Sequence, residues 1–284
     1  MKKNGTIYVL LAALLFSIGG LCIKMIPWSA MAINGGRNLI AVPVLLLYIK
    51  LTGHKLRMNR AVIFGAVCMC AVTTLFTLAN KLTTAANTII LQFTAPVFAM
   101  IMTWFLLHKK PQRVDVITCA VVFIGIIFFF IDGISAGNQL GNILALLSGI
   151  AYAGVFMMNS FEQSDSLSSI LYGQMLSAVI GIGFVFKETD FSASVILWMA
   201  ALGLLQLALA YIFMAKGLET VNAVTASLTA AIEPILNPIL VAIFYKEKVS
   251  GLALVGAVIV LGTVLIYNVR QARLEDTQIQ GENT

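Results

Sequence analysis

A proline-centred apolar stretch around Pro96 returns around Pro234, 138 residues further along a chain of 284. The first copy carries Gln92-Phe-Thr-Ala-Pro-Val-Phe-Ala and the second Ala231-Ile-Glu-Pro-Ile-Leu-Asn-Pro. Each closes on a cluster of charge, His108-Lys109-Lys110 in one and Tyr245-Lys246-Glu247-Lys248 in the other, and a Gly-containing apolar segment follows. Apolar runs share composition cheaply, but the same order of proline, charge and glycine occurring twice is a constraint. The offset is about half the chain, so the chain reads as two copies of one unit built around a shared core.

That core is a membrane one. Sixty per cent of the residues are hydrophobic and 11% charged, where a soluble domain carries about 25% charged residues. The net charge of +6 is scattered between apolar runs. No basic–aromatic patch is available to grip a phosphate backbone, which sets nucleic acid aside. Cys22, Cys68, Cys70 and Cys119 all lie inside apolar runs without a C-x-x-C pair, and His54 and His108 stand beside loop lysines. Neither a metal nor another cofactor is expected, and the thiols read as small apolar packing groups.

A crossing needs about 20 largely apolar residues. Read from charge to charge, spans fall near 6–25, 30–49, 61–80, 84–107, 114–132, 140–160, 167–186, 192–215, 222–245 and 250–269. This predicts an all-α membrane protein of ten transmembrane helices. Its two inverted five-helix repeats, residues 1–135 and 136–270, surround a central cavity, and a polar cytoplasmic tail follows at 271–284. The start, Met-Lys-Lys before an apolar run, is too long for a signal peptide and is kept on the mature protein. With the N-terminus inside, Lys and Arg number twelve on the inner side and five on the outer, Arg37 lying within the second span. Both termini are therefore expected in the cytoplasm. Five spans per half is odd, so the second copy runs inverted. An internally duplicated apolar chain of this kind is the sequence signature of a secondary transporter.

The chain resembles the EamA-type members of the drug/metabolite transporter superfamily, essentially over residues 5–270. The resemblance rests on Gly5 and Gly141 opening the first and sixth spans, on Arg37 in the second span and on the two proline-centred spans. It rests too on Tyr245-Lys-Glu-Lys ahead of a Gly-bearing last span that carries Val260-Leu-Gly-Thr. The family commonly places an acid at the ends of the fourth and ninth spans. Here the ninth offers Glu247, whereas the fourth has His108-Lys109-Lys110 without one. The resemblance implies ten helices around a central cavity and export of small metabolites, often amino acids.

Candidate site residues follow from depth. Arg37 and Glu233 fall near the middle of their spans, where a charge costs about 2.5–3.5 kcal/mol on insertion scales. Asn222, Thr225, Thr229, Glu233 and Asn237 recur at helical spacing and mark one face of the ninth span, either a cavity wall or interhelical glue. Thr84, Thr88, Gln92 and Pro96 form a neutral counterpart on the fourth. Pro96, Pro234 and Pro238 each remove a backbone donor, so both spans should bend and free carbonyls. Arg37 could bind a substrate carboxylate, or pair structurally with Glu233 or helix-end carbonyls. Ser17, Tyr152, Gln174 and Tyr211 read as packing groups, and Trp28, Trp104, Tyr48 and Tyr245 as interface anchors.

No nucleophile–base motif, metal motif or nucleotide-binding loop occurs, which argues against an enzyme and against ATP drive. A channel would call for a repeated filter or a ring of charges. The reading is a secondary active transporter of the cell membrane that exports or exchanges small metabolites such as amino acids or amines. Uptake or facilitated diffusion is the alternative. Expected partners are the small-molecule substrate, the lipid bilayer and protons carried by Glu233, in a monomer or homodimer.

Overall fold

Side-chain caps decide where the helices begin. Ser29, Asn59, Asn138, Asp165 and Asn222 each accept a hydrogen bond from the backbone N–H three residues on, satisfying a donor that a helix start leaves open. The computed structural model describes residues 5–83, 85–130, 138–236 and 251–281, and the regular structure among them is entirely helical. The first half contains α1 (Gly5–Phe16), α2 (Gly19–Met25), α3 (Ala30–Thr52), α4 (Arg60–Leu82), α5 (Ala85–Gln92), α6 (Ala95–Leu107) and α7 (Arg113–Phe130). The second contains α8 (Gln139–Phe156), α9 (Ser166–Val185), α10 (Ala193–Ala200), a π-helical stretch Ala201–Leu209, α11 (Ala210–Leu218), α12 (Ala223–Ala230) and α13 (Gly251–Gly281).

Seven of the described helical stretches are long and apolar enough to cross a membrane: Gly5–Met25, Ala30–Thr52, Arg60–Leu82, Asn87–Leu107, Gln139–Phe156, Ser166–Val185 and Ala193–Leu218. The 18-residue α7 and the shorter apolar stretches Ala223–Leu236 and Leu254–Arg270 fall where the other three spans are expected. Large apolar side chains line the outside, among them Leu51, Val179, Val258 and Ile266, each more than 70% exposed. Such a surface suits lipid, since helices satisfy most of their backbone groups within their own segments.

The proline-centred spans break, as their sequences predict. The fourth breaks at 93–94, between α5 and α6, with Pro96 in the first turn of α6. The ninth breaks at 231–232, and a helical turn at 233–236 holds Pro234. The missing Pro96 donor frees the Gln92 carbonyl. Gly149 of α8 lies against that carbonyl, since a Cβ there would stand 2.8 Å from Gln92 O and 3.0 Å from Leu91 O. The freed carbonyl thus faces protein instead of lipid. Thr84, Asn237, Pro238 and the Tyr245–Lys248 cluster lie outside the described residues.

The two leading glycines show how the halves are related. Gly5 meets Thr220 and Val221 just beyond α11, while Gly141 meets Leu82 and Thr83 at the end of α4. Exchanging the halves turns one contact into the other. The two contacts sit at opposite ends of the bundle. Thr220 shares a cavity with Asn159, and Asn159 shares another with His54 and Asp165. Lys55, Arg57, Lys109 and Lys110 belong to that end, here called the basic end. Thr83 instead bonds Asn142, near Lys81, which donates to the Ile26 carbonyl at 3.0 Å. The repeats therefore run in opposite directions, and their helices interleave.

Near the start of α3 and the end of α9 the two helices touch backbone to backbone, a Cβ on Gly35 standing 2.5 Å from the Gly181 carbonyl carbon. A clasp joins the halves at each end of this pair. Ser29 donates from N and Oγ to Glu188 at 2.9 and 2.7 Å at one end. His54 pairs with Asp165 at 2.8 Å at the basic end.

The last helix runs through the polar tail to Gly281, because Arg270-Gln-Ala-Arg-Leu-Glu is rich in strong helix formers. One expectation is corrected. Trp28 is not an interface anchor: it is buried, donates from Nε1 to the Asp190 carbonyl at 2.7 Å and meets Phe191 edge-on.

Gly35→Ala should lower stability by about 1–3 kcal/mol through overpacking. Gly183→Ala, with nothing within 4 Å of its new methyl, should be neutral or mildly stabilising in the same thermal unfolding series in detergent. Equal effects would contradict the backbone contact. The basic-end clasp has a pH signature. Burial alone would push the Asp165 carboxyl up, but hydrogen bonds from Ser168 and His54 outweigh it and hold the carboxyl below its ordinary value. A depressed folded value means the stabilisation is fully present above the unfolded carboxylate value of about 3.9 and is lost as pH falls through the folded one. Asp165→Asn keeps the cap and loses the charge. Its stability deficit relative to wild type should shrink as pH falls below about pH 4.

Candidate functional site: a central polar cavity

Arg37 enters the bundle from α3 and is 1% exposed. Its Nη2 donates to the Thr73 carbonyl at 2.8 Å, to Thr77 Oγ1 at 2.7 Å and to Asn34 Oδ1 at 3.2 Å. Its Nη1 reaches Gln206 Oε1 at 3.4 Å on the π-helical stretch. The Nε–H is buried with no partner in the structure. The one ion pair among the described residues is His54–Asp165, so Arg37 and Glu233 do not form one. Mid-helix and side-chain oxygens hold the guanidinium instead.

Glu233 arrives from the other half. The turn after the break at 231–232 directs it to α8, where the Tyr152 hydroxyl donates to Oε2 at 3.2 Å. Arg37 and Glu233 line one small cavity together with Gln92, Tyr152, Gln206 and Tyr211. Phe16 stands edge-on to Tyr211 and Tyr152, with ring centroids 4.7 and 6.4 Å apart. Phe93 closes on Tyr152 from α5's end at 6.3 Å. The cavity measures about 30 Å³, room for about one water. A metabolite can occupy this site only after the helices move.

The structure thus unites Arg37, Gln92 and Glu233 and separates the rest of the candidates. Thr225 Oγ1 lies 3.2 Å from the Tyr267 hydroxyl, which donates to Asp115 Oδ1 at 2.8 Å. Thr229 donates to Asn268 Oδ1 at 2.8 Å. The Thr225–Thr229 face therefore meets α13, while Glu233 faces α8. Helical spacing places these residues on one face only if the helix is continuous, and the break interrupts it. Asn222 caps α12 at the basic end, Thr88 is buried in α5, and Pro96 and Pro234 sit at the two breaks.

The sequence reading passed over Gln206 and Thr73, and took Tyr152 and Tyr211 for packing groups. Gln206 had a signal. It is a lone amide deep in the apolar run from Val195 to Phe213, where insertion is costly unless the group has a partner. It also falls in a π-helical stretch, a distortion frequent at functional sites. The Thr73 contribution is a backbone carbonyl, which sequence does not display.

Arg37→Lys keeps the charge but replaces a planar five-donor fork with a point charge. At least one of the Asn34, Thr73, Thr77 and Gln206 acceptors should lose its partner, at about 1–3 kcal/mol. The expected readout is a lower unfolding temperature in detergent with insertion preserved. An unchanged temperature would mean that the guanidinium fork does not organise the site.

Comparisons with known proteins place this architecture. The family model of the EamA-like transporter family matches the chain twice, over residues 3–131 and 139–269. "Uncharacterized transporter YwfM" of Bacillus subtilis (strain 168) is 27% identical, the match covering 94% of this chain and 95% of that protein. An "Uncharacterized transporter" of Clostridium kluyveri is 24% identical, with 94% of each chain covered. A crystal structure of a protein 15% identical in sequence superposes with a TM-score of 0.79, covering 93% of this chain and 96% of its own. At that identity it speaks to the fold alone.

Proposed function

The chain belongs to the EamA-like transporter family, and we propose that it is a secondary active transporter carrying a small polar metabolite through the central cavity by alternating access. In this reading it has ten spans, sits in the plasma membrane and keeps both termini in the cytoplasm, the side favoured by its Lys and Arg distribution. The two repeats are 1–135 and 136–270, with a polar cytoplasmic tail at 271–284.

One observation carries the reading. A guanidinium from one half and a carboxylate from the other line a single central cavity without forming an ion pair. Charges buried this way inside a membrane bundle are costly, and membrane proteins retain them at solute and ion paths. The cavity is only water-sized in this conformation, which fits a state closed around the site. Opposite charges on its walls suit a small zwitterion or amine, and export or exchange of amino acids or amines is the proposed activity. A multiply charged phosphate ester would call for several cations, and Arg37 is the one that lines this cavity among the described residues. Thr225, Thr229 and Asn237 belong to the proposed path in the open state. Glu233 is the proposed proton carrier.

A proteoliposome uptake screen over amino acids, amines and nucleosides tests the substrate class; failure of all three would defeat it. Glu233→Gln tests coupling, since it keeps the shape of the side chain and cannot ionise. The variant should insert normally, still exchange substrate across the membrane and lose its response to an imposed pH gradient. Unchanged pH-driven transport in a well-folded variant would exclude Glu233 as the carrier.

A further inference from the structure

The basic end holds a second and larger cavity, of about 480 Å³, that shares no lining residue with the central one. Its rim is polar and includes Lys109, Lys110, Asp115, Asn159, Glu219 and Asn222, several of them exposed. Its floor is apolar and made by Met100, Phe156, Leu218 and Val224. Phe156 is 1% exposed and stacks on Tyr152, with centroids 4.5 Å apart and planes tilted by 37°. Tyr152 lines the central cavity and holds Glu233. Phe156 thus lines the larger space and Tyr152, one turn before it on α8, lines the smaller.

We propose that Phe156 is the gate between the basic-end vestibule and the central cavity, and that Tyr152, anchored on Glu233, holds it shut. The proposal rests on the reading that solute crosses the central cavity. A ring is the right barrier here. It is bulky, offers passing polar solute no hydrogen bond, and rotates on a single χ1 without breaking backbone bonds. Tyr152 links the gate to the site: its hydroxyl holds a Glu233 oxygen while its ring holds Phe156. A solute cation that takes over Glu233 competes with that hydroxyl and loosens the stack.

The repeat supplies an independent argument. Aligning Gly5 with Gly141 pairs Phe16 with Tyr152 and Gly20 with Phe156. The other copy of this position is thus a glycine, in the span that breaks at 17–18. The fold does not demand a ring there. The ring is confined to the side facing the vestibule.

Sided labelling tests this. Val72→Cys places a thiol on the wall of the central cavity, and labelling of the intact protein in oriented vesicles is read with a membrane-impermeant methanethiosulfonate carrying a trimethylammonium group. Rates are compared with the parent that keeps Cys22, Cys68, Cys70 and Cys119 alone. Val72→Cys should label slowly from the basic end. Phe156→Ala should raise that rate at least about tenfold, equivalent to about 1.4 kcal/mol in the open population, and leave the rate from the opposite end unchanged. Phe156→Tyr should stay as closed as wild type. Tyr152→Phe, which keeps the ring and releases Glu233, should raise labelling from the basic end by a smaller factor. An unchanged rate in Phe156→Ala, or an equal rise from both ends, overturns the gate. If Phe156→Ala does not fold, Tyr152→Phe decides alone, and an unchanged rate there is equally fatal. Labelling reads the gate whether or not any solute moves, so its failure is distinct from a failure of the uptake screen.

Discussion

A guanidinium without a carboxylate, buried between helices, is the constraint around which this bundle is arranged. Removing such a charge from water costs several kcal/mol even after local relaxation, and Arg37 recovers it from oxygens on α3, α4 and the π-helical stretch. Those donors and acceptors fix three helices at one depth. The network does not stop at the arginine. Thr73 Oγ1 lies 3.0 Å from Ser177 Oγ on α9, and Asn38 bonds back to Asn34 on α3. Both halves are joined through this layer. In a bilayer apolar contacts give no preference for protein over lipid, so polar bridges and close packing hold helices together.

Close packing is the second half of that statement, and glycine supplies it. Gly35 against Gly181 brings α3 and α9 to backbone contact, and Gly203 lets Ile40 and the Arg37 carbonyl approach the eighth span. Gly65 similarly admits Ser169. Without a Cβ in these places the helices approach closely enough for short side chains such as Thr73, Ser177 and Asn34 to reach across. The polar layer and the glycine contacts thus depend on each other: short donors bridge only helices that touch.

Span order, the duplication, the direction of the second copy and the two proline breaks were legible in the sequence, because each is written in patterns of hydropathy, charge and proline that act locally. Arg37 and Glu233 were legible as costly residues at depth. Their partners were not. The Arg37–Glu233 pair suggested by opposite charge does not form, since neutral oxygens, one of them a backbone carbonyl, lie nearer to the guanidinium. The polar stripe from Asn222 to Glu233 is continuous in sequence spacing but divided in space by the break at 231–232, one side meeting α13 and the other α8. Tyr152 and Tyr211 gave no signal, because an aromatic residue in an apolar span is common and only its neighbours decide whether its hydroxyl faces a site. Pro43 inside α3 shows the converse, a helix breaker tolerated within a long helix.

Two-fold frames with unlike side chains have a physical consequence. If the halves were identical in sequence, the bundle would open toward either end with equal free energy, because one state is the other with its repeats exchanged. The chain departs from that identity at the cavity. Ala95 occupies the position in the fourth span that Glu233 occupies in the ninth, and Gly20 the position of Phe156. Each such difference adds to one state an interaction that the other lacks. The carboxylate–tyrosine bond lies in the central cavity, and the ring contact ties it to Phe156 of the basic-end cavity. A ligand shifts such an equilibrium only by as much as it binds the two states differently. A ligand that displaces the Tyr152 hydroxyl from Glu233 does bind them differently. In the proposed alternating-access cycle, the asymmetry of the repeats is what lets the occupant of the cavity bias which end opens.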